Sequence, residues 1–180
     1  NAYRYVYNNY TEWISKIDFK NILSLIEDNV SDYDNWILHW LKYLLEDIKN
    51  KNQGKGILDF WNKIFRFIID DLCENYLEST KIYTYESTQT VILFLFIVSL
   101  EFLRPLVPLF VQEIENNFSK KFKVLNFDFS KIWDFNLKEK NYRMNIFMDI
   151  IYKLKNIKHN LWAKKHETID VFIQSNLEFA

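Results

Sequence analysis

Residues that break helices are nearly absent from this chain, and they are bunched where they occur. Both prolines, Pro105 and Pro108, fall within "FLRPLVPLF", and both glycines fall within "NQGKG". A β-rich fold turns the chain at the end of every strand and draws on Gly, Pro, Asn and Asp to do so. A chain of 180 residues with two glycines and two prolines is therefore confined mainly to helices. With 49% hydrophobic residues it can bury one sizeable core and carry a small appendage.

The helices announce themselves by period and by their ends. "NAYRYVYNN" reads as a helix met in its middle, and the chain is expected to be a piece of a longer polypeptide. In "SDYDNWILHWLKYLLEDIKN", Ser31 or Asp32 can accept from unpaired amides of the first turn. Trp36, Ile37, Trp40, Leu41, Leu44, Leu45 and Ile48 then line one face. After "NQGKG" a helix is predicted over 57–81. Its expected apolar face is Ile57, Phe60, Trp61, Ile64, Phe65, Ile68, Ile69, Leu72, Cys73 and Tyr76. "VILFLFIVSL" is apolar all round over ten residues, too short to span a bilayer that needs about 20, so it is predicted to be the central helix of a bundle. Pro105 should end that helix, and Pro108 should open the next, where a missing N–H costs little.

Beyond Phe118 the pattern changes. "FKVLNFDFSKIWDF" alternates, and a helix follows over about 138–161 with Met144, Phe147, Met148, Ile151, Leu154, Ile157 and Leu161 on one side. "ETIDVFIQS" alternates as a strand would. The expected fold is thus mainly α: a helical bundle over 1–120, then a small helix-plus-strand appendage over 121–180 packed on it.

Chemistry of the catalytic kind has little foothold. The two glycines lack the spacing of a phosphate-cradling loop. His39, His159 and His166 are scattered, and the single Cys73 gives neither a disulfide nor a zinc set, so no metal site is expected. Asp70 and Asp71, at adjacent helical positions, point apart. Net charge is −1, yet it is unevenly spread. Residues 1–50 carry five basic against eight acidic side chains, and residues 138–166 carry eight against two. That basic segment suits either a polyanion or a solvated face. "YRYVYNNY" combines rings that can stack on unpaired bases with amides and a guanidinium that can reach base edges or phosphate. The same tyrosines also suit packing against neighbouring helices.

In chain order, five motifs resemble the anticodon-binding region of class I aminoacyl-tRNA synthetases of the valine, isoleucine and leucine subgroup. "NAYRYV" is similar to the end of the family's W-N-A-x-R-F-V, and "DNWILHWL" to D-R-W-I-L-S-R-L. "FWNKIFRFIIDDLCENYLESTK" follows F-x-W-x-x-F-C-D-W-Y-L-E-x-x-K, which points to the valine enzyme. "LEFLRPLVPLFVQEI" resembles L-R-L-L-H-P-F-M-P-F-I-T-E-E-I-W, and "LKNIKHNLWAKKHETIDVFI" a later valine-enzyme segment. Three of the chain's departures from these patterns stand out. Arg104 stands for His, Glu115 for Trp, and Asn75 for the Trp of C-D-W-Y.

The resemblance implies a parent ligase that activates valine with ATP and Mg and esterifies it to tRNA. The nucleotide fold that does so, with its H-I-G-H and K-M-S-K-S type motifs, is absent from these residues, so neither catalytic residues nor cofactors are expected in this part. The implied partners are the anticodon stem-loop of tRNA and the catalytic domain of the same polypeptide, in a cytoplasmic monomer not bound to membrane. Arg4 and Tyr5 match the family's R-F pair, and Asn8 and Asn9 join them by proximity. Lys153, Lys158, Lys164 and Lys165, with Lys155, are expected near the tRNA backbone. The alternatives are the isoleucine or leucine enzyme and a helical protein-interaction module.

Overall fold

The computed structural model describes residues 2–14, 22–28, 30–50, 56–81, 86–119 and 142–161, with the single positions Ile132, Leu137, Asp170 and Phe172. It falls into two units, residues 1–141 and 142–180. The first holds α1 (Ala2–Ile14), α2 (Ile22–Asp28), α3 (Asp32–Asn50), α4 (Ile57–Arg66), α5 (Leu77–Ser79), α6 (Glu86–Leu103) and α7 (Pro108–Ser119), and the second holds α8 (Tyr142–Asn160). No strand occurs among the described residues, and the mainly α bundle expected from the sequence is the fold observed. The boundary expected at 120/121 and most of the expected terminal strand lie outside the described residues.

α6 is the axis of the bundle because its sequence leaves it no polar face. Val91, Ile92, Leu93, Phe94 and Leu95 are buried in succession, which a helix can do only when neighbours surround it. Those neighbours are α1, α2, α3 and α7. Val6 and Tyr10 of α1, Ile22 and Ile26 of α2, and Ile37, Leu38 and Leu41 of α3 complete the core.

The proline joint forms as the sequence predicts. α6 ends at Leu103, and the amides of Leu106 and Val107 both donate to the Leu103 carbonyl, at 3.0 Å. Pro108 is the first residue of α7, where its missing N–H leaves no bond unmade. Arg104 spans the turn: its Nε donates to Glu101 Oε2 at 2.8 Å, and its two terminal nitrogens grip both carboxylate oxygens of Glu115 on α7. This fork geometry holds the two helices at a set angle. Both acids raise the guanidinium pKa still further above its already high value, Glu115 most.

Between α4 and α5 the chain departs from the expected 3.6-residue period. Residues Phe67–Tyr76 wind as a π-helix, with the Leu77 amide donating to the carbonyl of Leu72, five residues back. The buried side chains follow that step: Phe67, Leu72 and Leu77 on one line, Asn75 and Thr80 on another. This corrects part of the sequence-based face, of which Ile64, Leu72 and Tyr76 are buried as expected. Ile57, Phe65 and Ile69 are 77%, 39% and 50% exposed, whereas Phe67 and Asn75 are buried. Asn75 holds the wide turn, since its Nδ2 donates to the Asp70 carbonyl, also five residues back, at 2.7 Å. Its own carbonyl accepts from Tyr33 OH at 3.1 Å and from Ser79 Oγ at 2.9 Å. Two smaller corrections follow the same logic of partners rather than period. Trp40 on α3 is partly exposed, and on α8 Phe147, Ile157 and Leu161 are exposed while Met148 is buried.

α3 is capped by Ser31, whose Oγ accepts from the Asp34 amide at 3.1 Å while Asp34 Oδ2 accepts from the Ser31 amide at 3.4 Å. This reciprocal arrangement is a capping box. Asp34 is wholly buried and serves far more than its own helix. Tyr76 OH donates to Oδ1 at 2.5 Å, and Ser87 Oγ and Thr88 Oγ1 donate to Oδ2 at 2.7 and 3.2 Å. One carboxylate therefore joins the start of α3, the end of the π-helix and the start of α6. Its partners among the described residues are neutral hydroxyls and amides, aided by the positive end of the α3 dipole. Tyr33 stacks between Trp36 and Tyr76, with centroids 5.7 and 5.4 Å away.

Replacing Asp34 by Ala strands three buried or half-buried hydroxyls and is expected to cost about 3 kcal/mol or more, given about 1.5–3 kcal/mol for a hydrogen bond to a charged group. Urea unfolding measures it, and a loss below about 1 kcal/mol contradicts this role. The tyrosines give a second test. Burial, then the neighbouring Asp34 charge, pushes Tyr33 up to about 12 and raises Tyr76 well above the ordinary phenol value. A phenol whose folded pKa is raised binds more protons folded than unfolded, so its stabilisation is complete below about pH 10 and lost as pH climbs through the folded value. Stability should be flat from neutral pH to about pH 9 and fall from about pH 10 upward. A flat profile through pH 12 contradicts the burial of these rings.

Candidate functional site

α1 sorts its side chains by helical spacing. Val6 and Tyr10 face the core, while Arg4, Asn8 and Asn9 are exposed. Arg4 and Asn8 lie one turn apart on a common side, the relation that brings side chains together on a helix. Asn9 donates from Nδ2 to the Tyr5 carbonyl at 2.8 Å, which fixes its amide on the helix surface. Tyr3 and Tyr7, also one turn apart, pair their rings at 5.7 Å.

Tyr5 occupies the seam between outside and inside. Its ring is half-buried, and its hydroxyl reaches inward to within 3.4 Å of Tyr10 OH and 3.2 Å of Thr80 Oγ1. Burial, then the bond with Tyr5, raises the Tyr10 pKa. Lys81 Nζ lies 5.7 Å from the centroid of the Tyr5 ring and pairs with Glu78 Oε1 at 2.6 Å. A cation near an aromatic face gains from the ring quadrupole. The end of the π-helix thus brings Glu78, Thr80 and Lys81 to the α1 surface, about 75 residues away in sequence. The sequence reading missed these three. The signal was present in the terminal lysine of "YLESTK", but the 3.6-residue period could not aim it.

The four residues expected together on α1 are therefore neighbours, with Arg4, Asn8 and Asn9 outside and Tyr5 partly inside. The basic set is less unified. Lys153 and Lys155 on α8 are exposed and Lys158 is partly covered. Their spacing sends Lys153 to a different side from Lys155 and Lys158, so these three cannot follow a single phosphate track. Lys164 and Lys165 lie outside the described residues. Cys73 is half-buried, and burial raises its thiol pKa, the opposite of an activated nucleophile. Among the described residues no group of three or more His, Cys, Asp or Glu could hold a metal. No described helix is long and apolar enough to cross a membrane.

The family model for the anticodon-binding domain of tRNA ligase matches residues 34–173, more than three quarters of the chain. No curated protein and no solved structure matches. The match opens at Asp34, the carboxylate that joins three helix ends, and it includes the π-helix, the proline joint and α8. α1, with Arg4, Tyr5, Asn8 and Asn9, lies ahead of it. Two of the three departures from the family pattern also find an explanation in each other, since Arg104 and Glu115 are bonded side chain to side chain. The third, Asn75, holds the π turn. The chain belongs to the family of anticodon-binding domains of tRNA ligases.

Proposed function

We propose that this domain docks the anticodon stem-loop of valine tRNA, as part of a valine–tRNA ligase whose catalytic domain belongs to the same polypeptide and uses ATP and Mg. The observation that carries the reading is the meeting of Tyr5, which shares α1 with the exposed Arg4, Asn8 and Asn9, with Lys81, itself paired with Glu78 of α5. Together they offer what a splayed anticodon loop needs. Tyr5 supplies a half-buried aromatic ring for stacking, worth about 1–3 kcal/mol per base. Arg4 supplies a charge-assisted donor to phosphate or base. Asn8 and Asn9 supply amides that can both donate and accept at base edges. Lys153, Lys155, Lys158, Lys164 and Lys165 would then hold the RNA backbone, adding affinity without sequence information.

Domain and catalytic part act as one cytoplasmic monomer in this reading. The domain does no bond chemistry, and its contribution is to select the tRNA and set its distance from the active site. The valine assignment is supported by the "DDLCENYLESTK" stretch. The isoleucine and leucine enzymes are the alternatives.

Arg4→Ala should weaken binding of a valine anticodon hairpin by about tenfold or more, as expected for loss of one charged hydrogen bond, with the fold intact by circular dichroism. Replacing Lys153, Lys164 and Lys165 by Ala should lower affinity for all hairpins alike and flatten its dependence on salt. Titrations with valine, isoleucine and leucine hairpins check both. Full affinity in Arg4→Ala removes the α1 site, and a preference for the isoleucine or leucine hairpin reassigns the parent enzyme.

A further inference from the structure

We infer that Thr80 is a positioning residue that sets the orientation of the Tyr5 ring, and through it the stacking surface of the anticodon site, an inference that rests on the function proposed above. Thr80 is 1% exposed and cannot touch RNA itself. Its hydroxyl donates to the Leu77 carbonyl at 2.9 Å, so toward Tyr5 OH, 3.2 Å away, the Thr80 oxygen is the acceptor. Tyr5 OH in turn can accept from Tyr10 OH at 3.4 Å. A one-way chain, Tyr10 to Tyr5 to Thr80 to the Leu77 carbonyl, gives every hydroxyl hydrogen an acceptor.

The consequence is geometric. A phenol ring on a helix surface turns about two side-chain bonds, and tying its hydroxyl to a buried acceptor removes that freedom. Tyr10 closes from the other side, its ring 5.8 Å from that of Tyr5 and nearly perpendicular to it. The half-buried ring is thus presented in one attitude beside Lys81. Rings fixed before binding lose less freedom when a base stacks on them. Thr80 reaches this place because of the π winding. It closes α5, which directly follows the π-helix, and its amide donates to the Tyr76 carbonyl at 3.1 Å.

The test uses the 180-residue chain with Thr80→Val, which keeps the branched shape and removes the acceptor, Thr80→Ser, which restores it, and Tyr5→Phe, which removes the donor. The probes are an RNA hairpin carrying the valine anticodon loop and the same hairpin with abasic loop positions. Thr80→Val should weaken the intact hairpin by about fivefold, the scale of one neutral hydrogen bond, and leave the abasic hairpin unchanged. Thr80→Ser should return to wild-type affinity. The pair Thr80→Val with Tyr5→Phe should be no weaker than Tyr5→Phe alone, because the bond that Thr80→Val breaks is already gone without the Tyr5 hydroxyl. In the absence of RNA, the NMR ring signals of Tyr5 should shift in Thr80→Val and return in Thr80→Ser. Unmoved Tyr5 signals in Thr80→Val, or losses that add in the double variant, overturn the inference. A wild-type chain that fails to bind the hairpin overturns the proposed function, and the Tyr5 signals then decide separately whether Thr80 orients the ring. If Thr80→Val does not fold, Tyr5→Phe carries the test: it should weaken the intact hairpin by about fivefold while Thr80→Ser binds as wild type, and full affinity in Tyr5→Phe overturns the inference.

Discussion

A carboxylate buried without a cation partner among the described residues organises this bundle. Asp34 gives up its hydration, a cost of several kcal/mol for a charged group, and recovers it from Tyr76, Ser87, Thr88 and the first turn of α3. The donors come from three places in the chain, so the bonds form together only when α3, the π-helix and α6 are correctly placed. Apolar packing alone would tolerate sliding among these helices, since hydrophobic contacts are not directional. The carboxylate supplies the missing directionality at one end of the bundle. Everything that follows along the π-helix, including the approach of Thr80 and Lys81 to α1, inherits its position from that junction.

Much of this architecture is legible in the sequence because it rests on local rules. The cap at Ser31, the all-round apolar α6 and the proline joint each follow from the residues at that spot. What escapes a linear reading is whatever depends on a distant partner or on an unusual winding. The π-helix is the clearest case. Ile69 fits a 3.6-residue face and is half exposed, whereas Asn75 and Leu77, which that face omits, are buried beside the expected Leu72 and Tyr76, because the wider turns rotate what comes after them. The same rotation hid Thr80 and Lys81 from the candidate site. Tyr5 was legible as a motif residue, but its half-buried seat was not, since the two hydroxyls that hold it lie on two different elements.

Departures from a family pattern are informative when the structure pairs them. Arg104 and Glu115 each look like a loss taken singly, a His and a Trp gone from the proline joint. Bonded to one another across the turn, they fasten α6 to α7. Asn75 likewise puts a donor where the pattern has a bulky ring, and that donor satisfies a carbonyl in the π turn. The chain matches the family over 34–173, and within that span these local bonds fasten its helices.

The proposed role turns on where RNA touches the surface. Hydrogen–deuterium exchange of the chain, with and without a valine anticodon hairpin, reads this directly, since amides under the RNA slow and distant ones do not. Slowing at residues 4–9 and 77–81, with the α6–α7 joint at 104–110 unaffected, is the predicted result. Slowing confined to the joint or to α4, with α1 unchanged, contradicts it.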